Sequence, residues 1–348
     1  MIRVMIVDDS ALIRKLLTDI LKADKEILVV GTARNGKDAL DKIKRFNPDI
    51  ITLDVEMPVM DGLTTLKYIV SDYKIPVIMI STLTQHGADL TLKALEDGAV
   101  DFLQKPTNVF GLNQNEVKDE IINKIKAAAK TKVNISDIYK PVESRKTHRK
   151  KKSKNKDQFS NILAIGTSTG GPRALQNLIP QLPVDINASL VIVQHMPPKF
   201  TKSLSDRLNA TSNINIKEAE EGDILERGWG YIAPGDYHMT IVKEFDKLVI
   251  RLNQEPQGMG LRPTVDILME SVSKIKEYSK VGIILTGMGS DGAKGIKQMK
   301  DSNSYTIAQD EATSVVFGMP KAAIASNCID AILPIDKIAD RIISKVGV

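Results

Sequence analysis

Two groups of residues in this chain have types and spacing that could do chemistry. The first surrounds one serine: Gly166-Thr167-Ser168-Thr169-Gly170-Gly171 follows the apolar run Ile162-Leu163-Ala164-Ile165 and precedes Pro172. A strand that breaks into small residues can present a hydroxyl at a strand-to-helix turn, with backbone N–H groups nearby for an oxyanion. Pro172 suits the start of the helix, where its missing N–H is no loss. The same run also fits a glycine-rich phosphate cradle or a plain tight turn. The second group is Asp8, Asp9, Asp54, Ser81 and Lys105, each at or just past the end of an apolar run. Three carboxylates converging on one edge repel one another unless a hard cation lies among them. An all-oxygen set suits Mg²⁺, which also takes a phosphoryl oxygen as ligand. A lysine and a hydroxyl at the same point would stabilise charge on a transferred phosphoryl group. Asp9 or Asp54 alone reads as a helix cap; five such residues at four strand ends is a far more specific pattern.

A serine is a poor nucleophile at neutral pH without a base, and the imidazole needs a third group to fix its tautomer. His195 follows Leu190-Val191-Ile192-Val193-Gln194, and Asp291 lies just past Val281-Gly282-Ile283-Ile284-Leu285. Ser168, His195 and Asp291, each at a strand's carboxyl end, could fill the three roles. Of the four histidines, His86 and His148 lie outside this half, and His238 sits on an expected hairpin as the weaker candidate base. Gly166-x-Ser168-x-Gly170 also fits the α/β-hydrolase elbow, but that triad order needs an acid between 168 and 238 with His238 as base.

The elements that must position these groups alternate between strand-like and helix-like runs. In the first half, Val4–Val7, Leu28–Val30, Ile50–Leu53, Val77–Ile80 and Val100–Leu103 are each followed by an amphipathic stretch. Five such units predict a doubly wound parallel sheet, in which ligands collect at the carboxyl ends of the strands. The second half predicts another such α/β domain, with strands at Ile162–Ile165, Leu190–Gln194, Val281–Leu285 and Tyr305–Ala308. A hairpin inserted near Tyr231 to Leu252 interrupts that pattern.

A length of 348 residues favours two domains. The net charge of +5 suggests nucleic acid until its source is located. Arg145 to Lys156 carries eight Lys or Arg and no acid, so removing that run from +5 leaves −3 for the rest of the chain. The run has no apolar residue to fold upon and reads as an extended linker. The expected organisation is therefore residues 1–125, a basic linker over 126–158, and residues 159–348, with no nucleic-acid partner. No apolar run approaches the ~20 residues that span a bilayer, and MIRVMIVDDS meets acids too early for a signal peptide. With Cys328 as the single cysteine, a reducing, cytoplasmic location without membrane insertion is expected.

Residues 1 to about 125 resemble the receiver domain of bacterial response regulators, through Val7-Asp8-Asp9-Ser10, Leu53-Asp54-Val55-Glu56-Met57-Pro58 with Asp61-Gly62, Ile80-Ser81 and Lys105-Pro106. That resemblance implies a flavodoxin-like fold, Asp54 as phosphoacceptor, Asp8 and Asp9 with Asp54 holding Mg²⁺, and Ser81 and Lys105 sensing the phosphoryl group. Residues 159–348 resemble the catalytic domain of the chemotaxis protein-glutamate methylesterases. The motifs are Ser168-Thr169-Gly170-Gly171-Pro172, Val193-Gln194-His195-Met196-Pro197, Tyr231-Ile232-Ala233-Pro234-Gly235-Asp236, Leu285-Thr286-Gly287-Met288-Gly289-x-Asp291-Gly292, Gln309-Asp310-Glu311-Ala312 and Val316-Phe317-Gly318-Met319-Pro320. Thr167 and Ser290 depart from the family's usual Ala and frequent Asn.

The resemblance implies a Rossmann-like serine hydrolase that cleaves glutamate methyl esters on methylated chemoreceptors, releasing methanol. Ser168 is then the nucleophile, His195 the base, Asp291 its orienting acid, and the N–H groups of Met288 and Thr169 the oxyanion site. No cofactor is expected for the hydrolysis. A chemotaxis histidine kinase is the implied phosphodonor, and deamidation of receptor glutamines is an implied second reaction. The receiver is expected to restrain the catalytic half until Asp54 is phosphorylated. A response regulator with a non-catalytic output domain, binding DNA for example, is the alternative. Against it stand the missing helix-turn-helix pattern and the negative balance outside the linker. A general esterase for small soluble esters is a third reading.

Overall fold

Short runs of Val, Ile, Leu and Met, buried on both faces, build the centres of the two main sheets of the protein. The computed structural model describes residues 1–105, 114–131, 158–255 and 262–348, and the chain divides into two compact units, Met1–Lys140 and Pro141–Val348. The basic run and most of the expected linker lie outside the described residues.

The first unit holds β1 (Ile2–Val7), α1 (Ala11–Lys22), β2 (Ile27–Ala33), α2 (Gly36–Phe46), β3 (Ile50–Asp54), α3 (Gly62–Tyr68), β4 (Val77–Ser81), α4 (Gln85–Glu96), β5 (Asp101–Gln104) and α5 (Gln114–Ala128). Its strands are all parallel, in the order β2-β1-β3-β4-β5. Every residue of β3 and β4 is buried, as expected of strands covered on both faces by crossover helices. Side-chain caps start the helices next to the strand ends. Ser10 accepts from Ile13 N–H, Asp61 from Thr64 N–H and Thr84 from Gly87 N–H, each contributing about 1 kcal/mol. Thr84 thereby starts α4 at Gln85, three residues ahead of the apolar periodicity at Ala88. After Tyr68 the expected helix widens into one π turn, Ile69–Tyr73, closed by Lys74 N–H to Ile69 O.

The second unit contains β6 (Asn161–Thr167), α6 (Gly171–Leu178), β7 (Ala188–Gln194), α7 (Phe200–Thr211), β8 (Asn215–Glu218), β9 (Trp229–Ile232), β10 (His238–Glu244), β11 (Lys247–Asn253), α8 (Val265–Ser273), β12 (Ser279–Ile284), α9 (Ala293–Asp301), β13 (Tyr305–Gln309), α10 (Met319–Ala325), β14 (Ala331–Leu333) and α11 (Ile335–Val346). Seven parallel strands run in the order β14-β13-β12-β6-β7-β9-β8. The four expected strands are its centre. The hairpin is shorter than expected: Tyr231 belongs to β9 of the main sheet, and only β10 and β11 pair antiparallel, as a separate sheet. The break falls at Pro234-Gly235-Asp236, where Asp236 takes a left-handed φ of 69°. At the opposite edge from the strand ends, Asn161 Nδ2 donates to Asn187 O and Val346 O, and Asn187 N–H donates to Gly347 O.

Candidate active site and phosphorylation site

β6 and β7 pair in a register that sets Thr167 opposite Gln194, so Ser168 and His195 are the next residues on two adjacent strands. The His195 N–H continues the ladder to Thr167 O at 3.2 Å. Ser168 is half-buried at the turn into α6, and its backbone is fixed on three sides. Its N–H donates to Thr286 O (3.0 Å), and its O accepts from Gly171 N–H (2.8 Å) and from Gln194 Nε2 (2.9 Å). Gly170 turns the chain at φ 77°, and a Cβ on Gly171 would lie 1.9 Å from Gln194 Oε1 and 2.5 Å from Thr167 Oγ1. These glycines are therefore required by left-handed backbone and by close approach.

His195 Nε2 lies 2.7 Å from Asp291 Oδ2. Asp291 is 4% exposed and belongs to the loop after β12, a strand that flanks β6 on its other side. The same carboxylate accepts from Val265 N–H (2.7 Å) and Asp266 N–H (3.0 Å), the first two residues of α8. Burial works to raise its pKa, but His195 and the two N–H groups outweigh it and hold the carboxyl below the usual range. Asp266 in turn accepts from Gly295 N–H at the start of α9, so Asp291 and Asp266 each cap one helix. With Nε2 engaged by the acid, Nδ1 is the ring nitrogen left for Ser168.

Gly287 donates to Val316 O and accepts from the N–H groups of Gly318 and Met319. That fixes the peptide before Met288, whose own N–H has no partner among the described residues. Thr169 is buried, with its carbonyl accepting from Thr286 Oγ1 at 2.9 Å. His238 is fully buried, its Nδ1 lies 3.5 Å from Thr264 Oγ1, and burial with the Arg262 charge lowers its pKa. The acid is paired with His195, and His238 reads as a neutral core histidine.

The polar support of this site lies in residues outside the expected set. Gln194 and Gln309 end β7 and β13, and both are almost fully buried. Gln309 Oε1 accepts from Thr286 N–H (2.8 Å), and Thr167 Oγ1 donates to Thr286 O (2.8 Å). A glutamine closing an otherwise apolar strand was the available signal.

In the first unit, ligand oxygens of Asp8, Asp9 and Asp54 lie within 4.8 Å of one another. Lys105 Nζ is 2.6 Å from Asp54 Oδ2 and 3.5 Å from Asp8 Oδ2. Asp8 Oδ2 is buried and accepts no hydrogen bond among the described residues. An all-oxygen set with an unsatisfied buried carboxylate oxygen fits Mg²⁺. Burial, opposed by the Lys105 hydrogen bond and reinforced by the Asp8 charge, pushes Asp54 up to about 6. Ser81, the last residue of β4, is buried with its hydroxyl donating to Gly87 O at 3.2 Å.

Residues 163–342 match the CheB methylesterase family and residues 4–115 the response regulator receiver domain. A protein-glutamate methylesterase/protein-glutamine glutaminase of Pyrococcus horikoshii is 46% identical over 347 residues, covering 100% of this chain and 94% of that protein. The protein of the same name from Bacillus subtilis is 45% identical over 352 residues, covering 99% of each. Among solved structures, the catalytic domain of the Thermotoga maritima CheB methylesterase is 42% identical. It aligns with a TM-score of 0.52 and covers 54% of this chain and 98% of that one. No described helix is long and apolar enough to cross a membrane. On the strength of both halves and of relatives matched from end to end, this chain belongs to the CheB methylesterase family, as a member with a receiver domain ahead of its hydrolase domain.

Proposed function

We propose that this protein hydrolyses γ-glutamyl methyl esters on chemoreceptors, and by the same route deamidates receptor glutamines, under control of phosphorylation at Asp54. Residues 1–125 serve as the receiver and 159–348 as the hydrolase. The observation that carries the reading is the 2.7 Å His195–Asp291 pair beside Ser168, all at the carboxyl ends of neighbouring strands.

His195 Nδ1 takes the proton from Ser168 Oγ as that oxygen attacks the ester carbonyl. The negative charge formed on the carbonyl oxygen falls to the Met288 N–H, with that of Thr169. The intermediate collapses, the C–O bond to methoxide breaks, and His195 Nδ1–H protonates the leaving group to methanol. Water then adds to the acyl-enzyme by the same sequence and frees Ser168. Asp291, held ionised by α8, keeps the proton on Nε2 and stabilises the imidazolium. An amide passes through the same tetrahedral intermediate and releases ammonia.

In the receiver, Asp8, Asp9 and Asp54 would hold Mg²⁺, which when bound neutralises charge on the phosphoryl group in transfer. Asp54, ionised at neutral pH, accepts that group from a chemotaxis histidine kinase. Lys105 then pairs with the phosphoryl oxygens, and Ser81 turns from Gly87 O toward them. The low cysteine content suits work in the cytoplasm. Incubation with methyl-labelled receptor membranes, with and without acetyl phosphate, tests the reading. Methanol release that rises with the phosphodonor and vanishes in Ser168→Ala is the expected result. Equal turnover of a small soluble ester would favour a general esterase instead.

A further inference from the structure

We propose that Gln194 is a positioning residue that sets the distance between nucleophile and base; this rests on the assignment of Ser168 and His195 above. Its Nε2 donates to two carbonyls, Ser168 O at 2.9 Å and His195 O at 3.2 Å, and so bridges the two reacting residues across the gap between β6 and β7. The sheet does not need it. The backbone of β7 is already paired by β6 and β9, and its other positions are filled almost entirely by apolar side chains and small residues. The amide is also costly, because the side chain is 2% exposed and its Oε1 has no hydrogen-bond partner among the described residues. A buried amide half satisfied in this way destabilises a fold relative to a well-packed apolar residue. The Oε1 sits where a Cβ on Gly171 would fall, so the absence of a side chain there makes room for the amide.

Both bonds act on backbone atoms, so Gln194 does not touch the substrate. It adds a second donor to the carbonyl of Ser168 beside Gly171 N–H, and fixes the carbonyl of His195 beyond the ladder bond its N–H makes. Removal leaves Ser168 O with one partner and His195 O with none from this side chain. The turn can then relax by a few tenths of an ångström or more, and ~1 Å of misplacement at a reacting centre costs about 10²-fold.

The test uses the full-length phosphorylated protein and methyl-labelled receptor membranes. Gln194→Met keeps the length of the side chain and removes the donor. It should lower kcat by about 10²-fold, leave KM within about threefold, and leave the Tm of the hydrolase unchanged or raised. Gln194→Glu keeps the shape but turns an oxygen toward both carbonyls unless the acid is protonated. Its activity should therefore fall as pH rises through the new carboxyl's pKa, a limb missing from the wild-type profile. A purely structural role would not create that limb. Gln194→Met with kcat within threefold of wild type overturns the inference. So does a loss of activity that only follows a loss of Tm, with a Gln194→Glu profile shaped like the wild type's. Ser168→Ala is run beside them: activity retained there overturns the underlying assignment, and the positioning role falls with it.

Discussion

Asp291→Asn separates the orientation of His195 from the presence of its partner. The carboxylate faces donors on both oxygens: His195 Nε2 and Val265 N–H on Oδ2, and Asp266 N–H on Oδ1. An asparagine has one acceptor oxygen and one NH₂, so one side must present a donor to a donor. If the NH₂ faces His195, it donates to Nε2 and moves the ring proton to Nδ1, the atom needed as base. If it faces Asp266, the hydrogen bond to His195 survives but the imidazolium loses its counter-charge. At 2.7 Å and an effective dielectric constant of 20, that pair interaction is about 6 kcal/mol. A 10⁴-fold loss corresponds to about 5.4 kcal/mol, so either orientation leads to a fall in kcat near 10⁴-fold. KM should change little, because the residue is buried behind the base. Methanol release from methylated receptors, with Ser168→Ala as the zero, measures this. An Asp291→Asn enzyme within tenfold of wild type would refute the assignment of Asp291.

Ser168→Ala and His195→Ala should each abolish hydrolysis, by ~10⁶-fold, while phosphorylation of Asp54 from acetyl phosphate proceeds as in wild type. Thr167→Val removes one hydroxyl bond to Thr286 O, which keeps the Ser168 N–H. The hydrolase should lose about 1 kcal/mol, seen in calorimetry as a Tm lower by about 2–4 °C. Burial pushes Asp54 up to about 6 from its ordinary value of 3.8. The native state therefore binds the extra proton between those values, and stability falls as pH rises through that window. Asp54→Asn in Mg²⁺-free buffer should gain up to about 3 kcal/mol at pH 7 and lose that advantage below pH 4, read from denaturant unfolding of the receiver. A less stable variant at pH 7 would show that Lys105 outweighs burial. A truncated protein starting at Phe159 should release methanol faster than the unphosphorylated full-length chain, and full-length Asp54→Asn should not respond to phosphodonor. Equal rates for truncated and full-length protein would leave receptor docking as the regulated step.

The strands that deliver the reacting groups were legible because they are short and apolar on both faces. Each ends in, or is followed at once by, a residue that such a strand would not otherwise contain: Asp54 and Ser81 at their ends, His195 just past β7. The pairing of His195 with Asp291 needed only the strand-end rule, although the residues are 96 apart. Harder to read were β8, β9 and β14, which are only three or four residues long. Their place is set by pairing with neighbours rather than by their own pattern. Tyr231 lies only three residues before Pro234-Gly235-Asp236, so the end of β9 and the start of the hairpin run together in the sequence. The polar scaffold around Ser168 leaves only its strand-closing glutamines as a mark in the sequence, for a different reason. Gln194, Thr286 and Gln309 act through backbone carbonyls and amides brought together by the sheet order, and sequence spacing carries no trace of that order. The hold of α8 on Asp291 is of the same kind.

The amide of Asn161 reaches the last turn of the chain, so the hydrolase half begins and ends at one place. That place is the amino edge of the sheet, about 23 Å along β6 from Ser168, taking seven steps at ~3.3 Å each. The two ends are also near enough to be closed by a short peptide, with new termini opened in an exposed loop such as the β10–β11 tip at Phe245, which is 98% exposed. A circularly permuted hydrolase of this kind would keep its strand order and its site. Surfaces, reporters or sensor modules would then be attached at the hairpin tip near Phe245.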